Sequence, residues 1–375
     1  MAMNIVILAA GQGKRMKSAL PKVLQPLAGK PLLEHVLETA ISLIKAAEPI
    51  VVIGHGAEHV NAFLSDLANR NPRFKAIKTV LQKEQKGTGH ALLQTLTKLN
   101  KDLPTLVLYG DVPLITKDTL QLLIRLADGV RSKRSALGLL TQNMANPTGY
   151  GRIVRDQDSL VSAIVEEKDA TDDEKFIYEI NSGVYAFDGE KLAASIGKLT
   201  TANAQGELYL TDVIGILKSA GESVAAIMID DFTETLGVND RVQLAESAAM
   251  LRDRINDQWM RAGVTIIDPT TTWIDATVEL SNDVTIHPGT SLFGSTKVAT
   301  GAVIGPRTTL TDCEVKAGAS VLESIAMQTI IGEGATVGPF TYLRAGTVLG
   351  DATKAGAFVE MKNATVGSGS KVPHL

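Results

Sequence analysis

The sequence predicts an α/β domain with a mostly parallel sheet, followed by a left-handed parallel β-helix built from hexapeptides. Three observations carry that prediction. A chain of 375 residues exceeds what one hydrophobic core organises, so two domains are expected. Up to about residue 235, short apolar runs alternate with helical stretches. From about Ile274 the texture changes, and aliphatic residues recur every six positions.

In the first part, Ile5–Ala9, Ile50–Ile53, Leu106–Tyr109 and Ala136–Leu140 are continuous apolar runs, as strands covered on both faces require. Leu32–Ala47 and Thr88–Leu99 lie between them as amphipathic helices. Strand–helix alternation argues for a mostly parallel sheet. Asn239 to Arg261 reads as one helix, because Val242, Ala245, Ala249, Arg252 and Ile255 recur at helical spacing and Gly263 offers a stop. The expected division is 1–238, a helical arm over 239–263, and a β-helix over 264–375, incomplete at its C-terminus. In the last part the hexads are Val278/Val284, Ile286/Leu292/Val298, Ile304/Leu310, Val315/Val321, Ile331/Val337/Leu343/Leu349 and Val366/Val372. A period of six with small residues between places each hexad on one face of a triangular coil, aliphatic residue inward. Breaks in phase near Ser324–Thr329 and Ala355–Phe358 read as loops between coils.

Apolar residues make up 45% and charged residues 21%, ordinary for a globular protein with a sizeable core. A net charge of -4 gives no global basic field, so nucleic acid is not an expected partner and any anion site must be a local cation cluster. The single cysteine, Cys313, excludes an intramolecular disulfide and fits a reducing compartment. The apolar run near Met1 is short and has no basic residue before it, as in a buried first strand rather than a signal peptide. No stretch is apolar for long enough to span a bilayer, so a cytoplasmic protein without membrane insertion is expected.

Leu8-Ala9-Ala10-Gly11-Gln12-Gly13-Lys14-Arg15-Met16 follows the first strand, with Pro21-Lys22 soon after. Glycines let a backbone approach a polyphosphate closely and offer it N–H groups. Lys14, Arg15, Lys17 and Lys22 supply local positive charge. A dinucleotide fingerprint fails at Met16, and the Walker pattern fails on its glycine spacing. A plain glycine-rich turn beside solvated charges is the rival reading of GxG alone. Asp111, at the carboxyl end of an expected strand, stands where an open α/β sheet places its ligand. Its hard oxygen suits Mg²⁺, although an Asp in that position also serves as a turn former.

Taken whole, GxGxRM with PK downstream resembles the signature of the nucleotidyltransferases that make nucleotide sugars. Gln82-Lys-Glu-Gln-Lys-Gly87-Thr88-Gly89-His90 resembles their base-recognition segment, and Tyr109-Gly110-Asp111 their metal-binding strand end. Thr148-Gly-Tyr-Gly151-Arg152, Val165-Glu166-Glu167, Ile180-Asn181-Ser182-Gly183, Gly206-Glu207-Leu208-Tyr209 and Gly237-Val238-Asn239 follow in order. With the hexapeptide region behind them, the chain resembles the bacterial bifunctional N-acetylglucosamine-1-phosphate uridylyltransferase and glucosamine-1-phosphate N-acetyltransferase family, which feeds peptidoglycan and lipopolysaccharide synthesis.

The resemblance implies a Rossmann-like nucleotidyltransferase domain and Mg²⁺-dependent uridylyl transfer from UTP to N-acetylglucosamine 1-phosphate, giving UDP-N-acetylglucosamine and pyrophosphate. Such a nucleophile is already anionic near neutrality, since a phosphate monoester has its second pKa around 6. The site therefore needs cations and positioning rather than a general base. Arg15 and Lys22 are the implied catalytic cations. Leu8, Ala9, Ala10, Gly11, Lys22, Gln82, Gly87, Thr88, Tyr109, Gly110 and Asp111 are implied for the nucleotide, Asp111 and Asn239 for the metal. Gly151, Glu166, Asn181 and Asn239 are implied for the sugar. Gln82 carries a donor and an acceptor, matching the N3–H and carbonyl edge of uracil. Lys14 replaces the Thr usual in the broader family and adds a cation.

In the second half the resemblance assigns Arg344 and Lys362 to an amino-sugar phosphate. It assigns His374 as the general base that frees the glucosamine 1-phosphate amine to attack acetyl-CoA. Val372-Pro373 replace the small residues usual before that His. Further coils and a tail, which complete the acetyl-CoA site in the family, would lie beyond Leu375. A His so near a chain end is poorly held, so acetyl transfer is not expected of the chain as it stands. Such β-helices imply a homotrimer. The alternatives are another sugar-1-phosphate nucleotidyltransferase, for adenylyl or thymidylyl transfer to glucose 1-phosphate, or a non-catalytic sugar-nucleotide-binding trimeric scaffold. The scaffold reading predicts loss of Arg15, Lys22 or Asp111, and all three are present.

Overall fold

The structure is a computed structural model that describes residues 2–44, 48–127 and 135–374. It divides into two compact units, Met1–Gln25 with Pro31–Leu244, and Pro26–Lys30 with Ala245–Leu375.

The first unit is built on a nine-stranded sheet. Its strands are β1 (Asn4–Ala9), β2 (Ile50–Ile53), β3 (Lys78–Leu81), β4 (Thr105–Tyr109), β5 (Leu137–Asn143), β6 (Arg152–Arg155), β7 (Val161–Val165), β8 (Glu179–Phe187) and β9 (Val224–Met228). The order is β9-β5-β8-β4-β1-β2-β3, with β6 and β7 extending from β8. β1 runs parallel to β2 and β4, whereas β8 is antiparallel to both β4 and β5. The sheet is therefore mixed, with a parallel half that ends at the glycine-rich turn. Alternate residues of β1 feed two cores: Ile5 and Ile7 pack with Val36, Val51 and Leu108, while Val6 and Leu8 pack with Val52, Val107 and Tyr185. Strands buried on both faces need β-branched runs, which is why they were visible in the sequence.

Helices α1 (Leu32–Ser42), α2 (Ala57–Arg70), α3 (Thr88–Leu93) and α4 (Lys117–Ala127) belong to this unit. The helix expected over Leu32–Ala47 ends at Ser42, and residues 45–47 lie outside the described residues. The helix expected over Thr88–Leu99 stops at Leu93, followed by a 3₁₀ turn at Leu96–Lys98. Buried Thr95 donates its hydroxyl to Leu92 O at 2.7 Å, a local bond that competes with the helical ladder.

Helix α5 (Arg241–Arg261) carries the division between the units. Its buried residues are Ser247, Ile255 and Asn256, while Val242 is exposed. The expected apolar stripe holds at Ile255 but not at Val242 or Ala245, which are exposed, and polar Ser247 and Asn256 are buried in its place. Asn256 Nδ2 donates to Pro269 O at 2.9 Å and Thr272 O at 3.0 Å. Gly263, at φ +94, closes the helix, with Val264 N bonded to Trp259 O.

Three parallel sheets of seven, six and six strands make the β-helix. Ile286 pairs with Ile304, Ile304 with Val321 and Val321 with Val337, so each circuit brings inward residues into one stack. Two expectations are corrected here. Val278 and Val284 are buried, but they precede the strands, whose inward residues are Leu280 and Ile286. The segments read as loops between coils are strands: Ile325–Met327 pairs with Thr309–Thr311 and Tyr342–Leu343, and Lys354–Ala357 with Thr336–Val337. Ala326 and Ala355 occupy the inward place and are too small to register as aliphatic hexads. A second buried position, two residues earlier, holds Thr290, Thr296, Thr308 and Thr353. Thr290 donates to His287 O and Thr296 to Phe293 O, each at 2.7 Å, so these hydroxyls are buried with partners. Among the described residues, no helix is long and apolar enough to cross a membrane.

Candidate functional site

The glycine-rich turn leaves β1 and folds back on the segment around Lys22. Gly13 sits at φ +58, and a Cβ there would come within 2.6 Å of Lys22 Cβ, so only glycine fits. Lys14–Met16 form one 3₁₀ turn, pinned by buried Met16, which leaves Lys14 and Arg15 exposed. Buried Gln25 ties the following loop together: its Nε2 donates to Ser18 Oγ at 3.1 Å and Leu20 O at 3.0 Å, and Arg241 Nη1 donates to its Oε1 at 2.8 Å.

Asp111 follows the end of β4. Val238 N donates to Asp111 O at 2.8 Å, which brings Asn239 to the same strand end. The Lys22 ammonium donates to Asp111 Oδ2 as an ion pair and to Asn239 Oδ1 at 3.0 Å. Two hard oxygens from distant segments therefore already converge on one cation. That donor set fits a divalent ion such as Mg²⁺, which takes one or two protein oxygens and completes its shell with phosphate and water. Among the described residues no three His, Cys, Asp or Glu side chains gather as an all-protein cage.

These residues line a cleft of about 780 Å³. Leu8, Ala9, Ala10, Gly11, Arg15, Lys22, Gln82, Gly87, Thr88, Tyr109, Asp111 and Asn239 all face it, whereas Gly110 is buried outside the lining. Gln85, Gln205 and Glu207 also line it, and sequence reasoning passed over them. Gln85 Nε2 donates to Ala10 O at 2.8 Å, holding the glycine-rich turn, and its position inside the Gln82–His90 motif was the available signal. Gln82 is 4% exposed. Its Nε2 lies 3.1 Å from Gly87 O and 3.0 Å from His90 Nδ1. The donor expected to face uracil is thereby engaged within the protein, and the Oε1 acceptor remains.

Of the sugar candidates, only Asn239 lines this cleft. Gly151, Glu166 and Asn181 gather beside Tyr109: Asn181 N donates to Gly151 O at 2.9 Å and Asn181 Nδ2 to Tyr185 OH at 2.7 Å. Thr211 Oγ1 donates to Glu166 Oε1 at 2.9 Å. Burial pushes the Glu166 carboxyl above its ordinary range, with Asp212 and Asp169 adding to the rise and the Thr211 bond opposing it. Burial likewise raises the Tyr109 phenol, and the Glu166 charge adds to it, so both groups hold their protons more tightly.

In the β-helix unit, Arg344 and Lys362 follow stacked strands of successive coils, with Arg344 N bonded to Met361 O at 2.8 Å. Arg344 Nη1 pairs with Glu360 Oε1 at 2.9 Å. His374 lies on a different sheet, exposed, across from Ala357. The structure thus joins two of the three acetyl-transfer candidates at one corner and leaves the third on another face.

Residues 5–158 match the MobA-like NTP transferase domain family. The bifunctional protein GlmU of Kineococcus radiotolerans is 50% identical over 376 residues, covering 99% of this chain and 74% of that protein. Its counterpart in Streptomyces coelicolor is 48% identical, covering 99% of this chain and 76% of that protein. A crystal structure from Bacillus anthracis, assigned as a glucose-1-phosphate thymidylyltransferase, is 19% identical with a TM-score of 0.52; the match covers 67% of this chain and 96% of that one, a likeness of fold alone. At half identity along almost its whole length, the chain belongs to the family of bifunctional GlmU proteins.

Proposed function

We propose that the cleft of the first unit transfers the uridylyl group of UTP to N-acetylglucosamine 1-phosphate, giving UDP-N-acetylglucosamine and pyrophosphate for cell-wall synthesis. The observation that carries this reading is the convergence of the Asp111 and Asn239 oxygens and the Lys22 ammonium beside the glycine-rich turn. A phosphate oxygen of the sugar forms a bond to the α-phosphorus while the bond to the β-phosphate oxygen breaks, and pyrophosphate leaves. The Gly11–Arg15 turn binds the triphosphate, with Arg15 and Lys22 offsetting the charge on the leaving group. Mg²⁺ held by Asp111 and Asn239 supplies further charge neutralisation when bound. Gln82, Gly87 and Thr88 take the base. Gly151, Glu166 and Asn181 take the sugar and its acetamido group.

Residues 1–238 form the transferase domain in this proposal, 239–263 its helical arm and 264–375 the acyltransferase-like β-helix. By the same family likeness the chain works as a cytoplasmic homotrimer, with Arg344 and Lys362 assigned to glucosamine 1-phosphate.

Pyrophosphate release with UTP, Mg²⁺ and N-acetylglucosamine 1-phosphate, run beside Asp111→Ala, tests the reading. Release that the substitution abolishes supports it. Release only with dTTP or ATP and glucose 1-phosphate would keep the reaction class and replace the substrates.

A further inference from the structure

The reading of the cleft as a uracil site leaves open how the site tells UTP from CTP, whose bases differ at N3 and C4. Uracil presents an N3–H donor; cytosine presents a bare N3 acceptor. An amide side chain offers either polarity, so selectivity requires that the amide be locked one way round.

Gln82 is so locked. Gly87 O can only accept, so the amide group 3.1 Å away must present its nitrogen there. One N–H remains on that nitrogen. It meets His90 Nδ1 at 3.0 Å, which makes Nδ1 the acceptor and places the imidazole proton on Nε2. Gln94 Nε2 lies 3.1 Å from His90 Nε2 and 3.3 Å from His90 O, so turning that amide to give its oxygen to the Nε2–H gives up the longer contact with His90 O. Gln82 Oε1 finds no partner among the described residues, and Gln82 lines the cleft although nearly buried. The base therefore meets an acceptor and no competing donor.

We propose that His90 is a positioning residue that sets nucleotide specificity: by occupying the second N–H of Gln82 it holds Oε1 toward the base and selects nucleoside triphosphates with an N3–H donor over those with an N3 acceptor. His90 touches no substrate in this scheme. Without it, one N–H of Gln82 loses its partner and Gly87 O alone holds the amide, so the group turns more readily to present a donor that cytosine accepts. A site with a buried fixed acceptor discriminates strongly because the wrong base leaves two acceptors facing each other.

The test compares kcat/KM for UTP and CTP, at fixed N-acetylglucosamine 1-phosphate and Mg²⁺, in the wild-type protein, His90→Ala and His90→Asn. An Asn side chain can put its oxygen near the position of Nδ1 and accept the same bond. The UTP-to-CTP ratio should fall by about tenfold or more in His90→Ala, the scale of one hydrogen bond, and recover in His90→Asn. A merely structural role would lower both rates and leave the ratio where it was. A wild-type ratio near one would overturn the proposal together with the uracil reading. A high wild-type ratio kept by His90→Ala, with folding checked by thermal melting, would overturn the role of His90 alone.

Discussion

Lys22, Asp111 and Asn239 were each readable as candidates, but their meeting at one point is a property of the folded chain. Replacing Lys22 with Met removes the cation while keeping the aliphatic stem. Turnover with saturating UTP is expected to fall by about a hundredfold or more, on the scale of losing one charge-stabilising group. A Lys22→Met enzyme that kept its kcat would remove Lys22 from the chemistry. Glu166 makes a different prediction. Its carboxyl sits above the ordinary range chiefly through burial, so the folded state binds the proton more tightly than the unfolded state does. The stability tied to that proton is full below the unfolded value of about 4.3 and is lost as pH rises through the folded value. Glu166→Gln removes the penalty. Its melting temperature should match the wild type near pH 4 and exceed it near pH 8, while affinity for the sugar phosphate drops. A melting gap independent of pH would show that the carboxyl titrates as it does in water.

At the scale of elements, a partly exposed ion pair ties the β6–β7 hairpin to its approach loop. Arg152 Nη2 meets Glu167 Oε2 at 2.7 Å, and Gly149 N donates to the same oxygen at 3.2 Å. Among the described residues, Arg152 is the largest fully buried side chain. Glu167→Gln strips its charge partner, a change that costs about 3–5 kcal/mol where both charges are buried and less here, because Glu167 reaches solvent. Urea melts should show the loss, and the KM for N-acetylglucosamine 1-phosphate should rise because Gly151 lies in that loop. In the β-helix, Ile304 is fully buried between Ile286 and Val321. Ile304→Ala is expected to cost about 2–5 kcal/mol, measured by denaturant unfolding, since rigid stacked coils collapse poorly around a cavity. The hexad period was legible because every circuit repeats the same inward demand. The Thr column beside it was not, because a buried Thr and a surface Thr look alike in a sequence until the carbonyl that accepts the hydroxyl is in place.

Each of the two units has a core of its own, so unfolding is expected in more than one step. UTP with Mg²⁺ should raise only the transition of the first unit, by about 2.7 kcal/mol at a hundredfold excess over Kd. Ile304→Ala should lower only the other. Calorimetry in which both perturbations moved one shared transition would refute two independent units.

Sequence alone determined the two architectures, the strands of the parallel half and most of the cleft lining. The architectures and the glycine-rich turn follow from local rules: apolar runs for strands covered on both faces, a period of six for coils, and glycine where backbone must approach a ligand. Gln82, Gly87, Thr88 and Asn239 were nominated by the family resemblance. The sequence did not determine that β8 runs antiparallel through the sheet, since strand direction is set by pairing between distant segments. Nor did it show that Asn256 and Arg152 would be buried, or that Gln82 would spend its nitrogen on Gly87 and His90. A polar side chain has no fixed role until its partners are near, and only the tertiary structure brings them there.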